Sequence, residues 1–148
     1  LHTNSCVQTI NRVLDVFPPF QQPQIRAQLS FVIEGVMSQA LLQKVGGGRC
    51  LALEIMVPNP AIRNLIREDK VHQMYSIMQS SAEKFGMQTL NQSLAALYRR
   101  REITMEMGLT ISPNPEELKD LCARHGQSGF ATPTGFTGNR GSFASGGR

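Results

Sequence analysis

Apolar residues recur at helical spacing along most of the chain, so the pattern predicts a mainly helical structure. A first helix follows the possible capping residues at 3–5 and ends at Pro18-Pro19, because proline lacks the amide proton that a helix interior needs. A second, longer helix is predicted from about residue 21 to about residue 41. Its apolar stripe consists of Ile25, Leu29, Val32, Ile33, Val36, Met37, Ala40 and Leu41.

One segment has the pattern of a buried strand. Residues 49–57, RCLALEIMV, are mostly apolar and lie between the glycines at 46–48 and Pro58. A single strand cannot form a sheet, so we expect the other strands of this sheet to lie outside the chain. The alternative is a helical bundle with one extended segment.

Shorter helices are predicted after this strand. Asn59 is the expected cap of a helix that contains residues 61–68, Asp69 the expected cap of a helix over about 70–85, and Gly86 its end. Further helices are predicted near 88–101, 104–109 and 114–124. Residues 125–148 are rich in glycine and poor in residues to bury, so we expect a disordered tail.

Composition narrows the class of protein only slightly. The chain has 148 residues, 41% of them hydrophobic, which suits one domain with an ordinary core. No apolar run reaches the roughly 18 residues that a membrane-spanning helix needs. The three cysteines include no CxxC pair and are expected to be free thiols. The net charge of +4 is too small to indicate a nucleic-acid partner. Because the sequence starts without Met, we expect it to belong to a longer protein.

The helix at 61–68, AIRNLIRE, divides its residues between two faces. One face is apolar and is expected to dock on the core, and it carries Ala61, Ile62, Leu65 and Ile66. The other is polar and carries Arg63, Asn64, Arg67 and Glu68. Two arginines four residues apart are neighbours on a helix surface. They form either a solvated face or a cationic contact surface, and local pairing with Asn64 and Glu68 could hold them in place.

Two motifs resemble one family. LHTNS at 1–5 resembles the histidine box of the secretion and pilus ATPases, and AIRNLIRE matches the signature of their PilT-type pilus retraction branch. The stretches GGGR…ALEIM and EDKVHQMYSIMQ…MQTLNQSL are similar to that branch as well, so the resemblance covers about residues 1–124. The eight-residue signature is specific, whereas the histidine box alone would be a weak indication.

The resemblance implies an α/β fold, in which this chain is the mostly helical C-terminal part of a RecA-like P-loop ATPase domain with one or two strands. It divides the chain into a part of the RecA-like core at 1–57, a helical subdomain at 58–124 and the tail at 125–148. It also implies that His2 and Thr3 are catalytic and that Asn4 lies near the nucleotide. The implied retraction motif is Ala61, Ile62, Arg63, Asn64, Leu65, Ile66, Arg67 and Glu68.

The resemblance further implies a hexameric motor that uses ATP and Mg²⁺ to retract type IV pili, giving twitching motility. Such a motor is cytoplasmic and peripheral to the bacterial inner membrane, where it works with a pilus platform protein and no nucleic acid. The sequence contains no GxxxxGK[ST] loop and no acidic Walker B stretch, so we expect the chain alone to be inactive.

Other functions stay open at this point. A pilus-assembly or type II secretion ATPase would commonly carry a tetracysteine metal site after the histidine box, which this chain lacks. A freestanding helical adaptor would bind proteins only. A nucleic-acid-binding module would lose affinity steeply with salt.

Overall fold

The computed structural model describes Thr3 and residues 5–124. Helices and one two-stranded sheet make up an α/β structure in which helix predominates. In chain order the elements are α1 Cys6–Asp15, α2 Gln22–Val32, β1 Val36–Gln43, β2 Arg49–Met56, α3 Pro60–Arg67, a 3-10 helix Val71–Gln73, α4 Met74–Ser80, α5 Ala82–Phe85, α6 Leu90–Arg99, α7 Met105–Ile111 and α8 Pro115–Arg124.

The prediction of a long second helix is wrong beyond Val32, where α2 ends. The chain leaves the helix at Ile33, which is extended, and β1 then pairs antiparallel with β2 from Val36↔Met56 to Gln43↔Arg49. The strand prediction at 49–57 is confirmed, but its partner lies inside the chain, in a segment assigned to helix. Val36 and Ala40 fit both periods, but Met37 and Leu41 are exposed in the strand, where cross-strand pairing and the burial of Ser38 and Leu42 decide the conformation.

The two strands are joined by three glycines with positive φ: 85° at Gly46, 103° at Gly47 and 82° at Gly48. The amide of Lys44 donates to the carbonyl of Gly48 at 3.0 Å, which closes the turn. Residues with a side chain rarely adopt this backbone conformation, so the glycines make the hairpin possible. Gly-rich connections of this length are a hairpin signal in their own right.

Buried side chains form two clusters. The first gathers α1, α3, α4 and the end of β2 around Cys6, Ile10, Leu14, Met56, Ile62, Leu65, Ile66, Val71, Met74, Met78 and Met87. The second gathers the hairpin with α6 and α8 around Leu42, Cys50, Ala52, Leu90, Leu94, Ala95, Leu97, Ile103 and Leu118. Met74, Met78 and Met87 all belong to the first cluster and are almost fully buried.

The predicted helix over 70–85 is divided into the 3-10 helix, α4 and α5, and its predicted cap is wrong. Asp69 has a φ of 60° and forms an ion pair with Arg26 at 2.9 Å, so its carboxylate does not cap the next helix. Phe85, at the end of α5, is 37% exposed. Gly86 ends α5 in the left-handed conformation, as predicted.

The caps of the later helices follow the sequence. Thr89 and Gln92 form a capping box at α6. Asn114 accepts a hydrogen bond from the amide of Glu117 at the start of α8. None of the helices in the described part of the chain is long and apolar enough to cross a membrane. The predicted tail at 125–148 lies outside the described residues.

Candidate functional site

The signature helix α3 starts as predicted. The Asn59 side chain accepts a hydrogen bond from the amide of Ile62 at 2.9 Å, and Pro60 occupies the first turn. Ile62 and Ile66 are fully buried and Leu65 is 9% exposed. Ala61 is exposed, so its assignment to the docking face is wrong. The buried face of α3 is narrower than predicted, because only Ile62, Leu65 and Ile66, at positions i, i+3 and i+4, reach the core.

Arg63 is bound to α2. Its Nη1 donates to the carbonyl oxygens of Ser30 at 2.8 Å and Phe31 at 2.9 Å. Both carbonyls belong to the last turn of α2, where a helix has no partners of its own for its C=O groups. The guanidinium also lies at the negative end of that helix dipole. Arg63 therefore closes the C-terminus of α2 as well as belonging to the motif.

The carboxylate nearest to Arg63 is that of Glu34, at 4.0 Å from Nη2. The Glu34 side chain is 89% exposed, so water screens this pair and it contributes little. The contacts of Arg63 are therefore mainly with backbone carbonyls. The hydrogen bonds of Arg63 join α2, which lies in residues 1–57, to α3, which lies in residues 58–124.

Arg67 lies on the outer surface of α3. Its guanidinium stands over the Phe31 ring at 5.9 Å and its Nη2 donates to Asn64 Oδ1 at 2.9 Å. Asn64 Nδ2 donates to Glu68 Oε1 at 2.8 Å, which confirms the predicted local pairing. Hydrogen bonds from Lys70 and then from Asn64 lower the pKa of the Glu68 carboxyl. The outer face of α3 is thus a chain of fixed polar side chains.

A second link joins α2 to the end of α3. The Arg26 side chain is 16% exposed, and its Nη2 lies 2.9 Å from the Asp69 carboxylate. Arg26 Nε is buried with no hydrogen-bond partner among the described residues. Together with Arg63 this ion pair fixes α2 and α3 at two points.

The histidine-box segment is described in part. His2 and Asn4 lie outside the described residues. The carbonyl of Thr3 accepts a hydrogen bond from Ser38 Oγ on β1 at 3.0 Å, and its Oγ1 lies 2.7 Å from Thr9 Oγ1. Because the Thr9 hydroxyl already donates to the carbonyl of Ser5, Thr3 is the donor of this pair. The Thr3 hydroxyl is therefore engaged within the chain.

Sequence reasoning missed Glu54, which contacts the same region. Glu54 is 1% exposed, and its Oε1 accepts a hydrogen bond from the amide of Cys6 at 3.1 Å, in the first turn of α1. Burial raises the pKa of the Glu54 carboxyl, and burial followed by the nearby Glu54 charge raises the pKa of Cys6 to about 12. The alternation of β2 was the available signal, since it puts Glu54 on the same face as Ala52 and Met56.

Metal ligands do not cluster in the part of the chain that the structure describes, where no group of three or more His, Cys, Asp or Glu side chains could hold an ion. His72 is exposed, and His125 lies outside the described residues. The cysteines at 6, 50 and 122 are free thiols, as predicted.

Comparison with known proteins gives a consistent set of relatives. The chain is 48% identical over 118 residues to the type IV pilus retraction ATPase PilT of Pseudomonas aeruginosa, which covers 80% of this chain and 34% of that protein. It is 40% identical over 119 residues to a twitching motility protein of Neisseria gonorrhoeae, covering 80% of this chain and 32% of the relative. The chain thus spans about a third of the length of the curated relatives it matches.

Solved structures agree. The crystal structure of a pilus retraction motor PilT with bound ADP has a TM-score of 0.72 and 51% identity, covering 81% of this chain and 33% of that one. The ATPase DotB of Legionella pneumophila, 17% identical, has a TM-score of 0.61 over 75% of this chain and 30% of its own, and shows the shared fold. No family model matches the chain.

Proposed function

Because the chain belongs to the PilT-type family of pilus retraction ATPases, we propose that its residues form the C-terminal part of a motor that hydrolyses ATP to retract type IV pili and so drives twitching motility. The observation that carries this proposal is the 48% identity over 118 residues with a retraction ATPase. The similarity to a twitching motility protein supports the same process.

In this motor His2 and Thr3 act at the nucleotide site and Asn4 lies beside it. Side-chain donors there would stabilise the charge that develops on the transferred phosphoryl group or orient the attacking water. ATP would bind with Mg²⁺, held by groups upstream of the histidine box. Since the Thr3 hydroxyl donates to Thr9, it reaches a phosphate only by exchanging that partner. Thr3 is thus a residue whose hydrogen bond would change with nucleotide state.

The motif at 61–68 couples this site to movement. Support comes from the bonds of Arg63 to α2, since a displacement of either helix has to break them or carry the other helix along. Arg67 remains on the outer face, 5.9 Å from the Phe31 ring, where a neighbouring part of the motor can approach it. Arg63 would therefore transmit movement inside the chain, and Arg67 would form the outward contact.

The assembled motor is proposed to be a hexamer on the cytoplasmic face of the bacterial inner membrane. There it would associate peripherally with the pilus platform protein and bind no nucleic acid. The 148-residue chain by itself would not hydrolyse ATP, because its sequence contains no GxxxxGK[ST] loop to hold the phosphates. Turnover at enzyme-like rates by this chain alone would contradict that part of the proposal.

A segment exchange tests the proposal. The stretch of the P. aeruginosa PilT that matches this chain is replaced by the corresponding residues of this chain, and the hybrid is returned to a strain without PilT. We expect twitching to return and the purified hybrid to hydrolyse ATP. A matched hybrid with Arg67→Ala should keep ATP hydrolysis and lose much of its twitching. A folded hybrid that neither hydrolyses ATP nor restores twitching would overturn the proposal.

A further inference from the structure

Several hydrogen bonds attach the residues at the beginning of α1 to the hairpin. Oε1 of Glu54 on β2 accepts from the amide of Cys6 at 3.1 Å, and Oγ of Ser38 on β1 donates to the carbonyl of Thr3 at 3.0 Å. The Cys6 thiol also donates to the carbonyl of Val36 at 3.3 Å. Both strands therefore form hydrogen bonds with Thr3 and Cys6.

Packing alone does not explain why a carboxylate is buried at Glu54. It is 1% exposed and lies on the same face of β2 as Ala52 and Met56, which are fully buried. Removing a carboxylate from water is strongly unfavourable unless hydrogen bonds compensate it. The compensation here is the amide of Cys6 at the positive end of the α1 dipole. An apolar side chain would fill this position at less cost, but it would leave the Cys6 amide without an acceptor.

We propose that Glu54 is a positioning residue, whose carboxyl group holds the first turn of α1 and thereby Thr3 and Ser5 of the histidine box in register with the hairpin. A shift of the hairpin would then move Thr3. The effect of Glu54 on catalysis rests on the function proposed above, whereas its hydrogen bond to the first turn of α1 does not. The two halves can be tested separately.

Hydrogen exchange tests the hold on α1. In Glu54→Ala the amide of Cys6 loses its acceptor, and we expect it to exchange about tenfold to a hundredfold faster. Glu54→Gln keeps an oxygen that can accept the same bond, so it should restore most of the protection. Glu117→Gln is the matched control, because Glu117 accepts its hydrogen bonds from Tyr75, Gln79 and Asn91, away from α1. Unchanged exchange at Cys6 in Glu54→Ala would overturn the proposal.

Kinetics of the hybrid motor test the catalytic consequence. We expect Glu54→Ala to lower kcat for ATP hydrolysis by about tenfold or more with little change in KM, because the box acts on the phosphoryl group in the transition state. Glu54→Gln should recover most of kcat. Ile10→Val weakens the packing of α1 without touching this bond, so it should leave kcat near that of the unmodified hybrid.

The outcomes separate the two proposals. An unmodified hybrid without ATP hydrolysis refutes the proposed function, and the exchange of the Cys6 amide then decides on Glu54 alone. An active hybrid whose kcat falls equally in Glu54→Ala and Ile10→Val refutes the positioning role, since general loss of stability would explain both. Should Glu54→Ala fail to fold, Glu54→Gln decides: kcat as low as in an inactive variant, with Cys6 protected, contradicts positioning through this bond.

Discussion

Nη1 of Arg63 donates to the carbonyl oxygen of Ser30 at 2.8 Å, across the contact between α3 and α2. The bond makes a signature arginine the cap of another helix. Ser30 itself is 1% exposed, so water has little access to replace the guanidinium. The sequence shows a polar face on α3, and the structure shows that one of its two arginines is turned back onto the protein.

Arg63→Ala should destabilise the chain by about 1–2 kcal/mol. Hydrogen bonds to charged groups contribute roughly 1.5–3 kcal/mol, and the 28% exposure of this side chain reduces that figure. Arg67→Ala, the matched control on the outer face, should cost less than about 1 kcal/mol. Arg63→Lys should fall between them, because an ammonium lacks the planar fork. Urea unfolding measures all three, and equal midpoints for Arg63→Ala and Arg67→Ala would contradict the capping role.

The hairpin turn provides a second prediction. A Cβ added at Gly47 meets no atom within 4 Å, yet the residue has a φ of 103°. Gly47→Ala should therefore destabilise the protein by about 1–2 kcal/mol through backbone strain alone. Gly35→Ala is the control, since its φ is not positive and its Cβ would stand at an ordinary 3.5 Å from the carbonyl of Met56. It should be close to neutral in thermal unfolding. A larger loss at Gly35 than at Gly47 would contradict this account of the turn.

The hairpin is the part of the fold that prediction from sequence failed to identify. Residues 36–41 carry apolar side chains at a spacing compatible with a helix, and only pairing with residues 51–56 makes them part of a strand. Such pairing is a tertiary effect that a helical period does not reveal. The start of α3 was easier to predict, because its cap Asn59 acts within its own first turn.

In the candidate site, too, contacts within one helix could be predicted from the sequence, whereas contacts between distant residues could not. The polar face of α3 and the pairing of Asn64 with Glu68 follow from helical spacing, since those residues are neighbours four positions apart. The bond from Arg63 to Ser30 spans 33 positions and depends on how α2 and α3 pack. Glu54 was detectable in principle, as one acidic residue on the inward face of an otherwise apolar strand, but its partner Cys6 is 48 positions away.

The three thiols should differ in reactivity. Cys6 is fully buried and its pKa is raised to about 12, so at about pH 8 only roughly one thiol in ten thousand is ionised. Cys122 is partly exposed, and although burial raises its pKa, a reagent can approach it. In the native state DTNB should react first with Cys122, and all three should react in concentrated guanidinium chloride. Cys122→Ser should remove the fast phase, and a fast phase that remains would contradict the burial of Cys6 or of Cys50.

The buried carboxyl of Glu54 should make stability depend on pH in a defined direction. Burial raises its pKa in the folded protein above the ordinary value of 4.5. As pH rises past that ordinary value, the unfolded chain releases this proton while the folded chain still holds it. The folded state then binds more protons than the unfolded state, so the contribution of Glu54 to stability falls with pH until the folded carboxyl has ionised too.

A comparison with Glu54→Gln isolates this contribution, because every other titrating group is common to both proteins. As pH rises through the ordinary value of 4.5, the free energy of unfolding of the wild type should fall relative to that of the Gln variant. Urea unfolding at a series of pH values measures the difference, and Glu116→Gln, whose side chain is 81% exposed, controls for the loss of one negative charge. If the wild type instead gains stability relative to Glu54→Gln as pH rises, the amide of Cys6 and the α1 dipole outweigh burial, and Glu54 stabilises the fold as an ionised carboxylate.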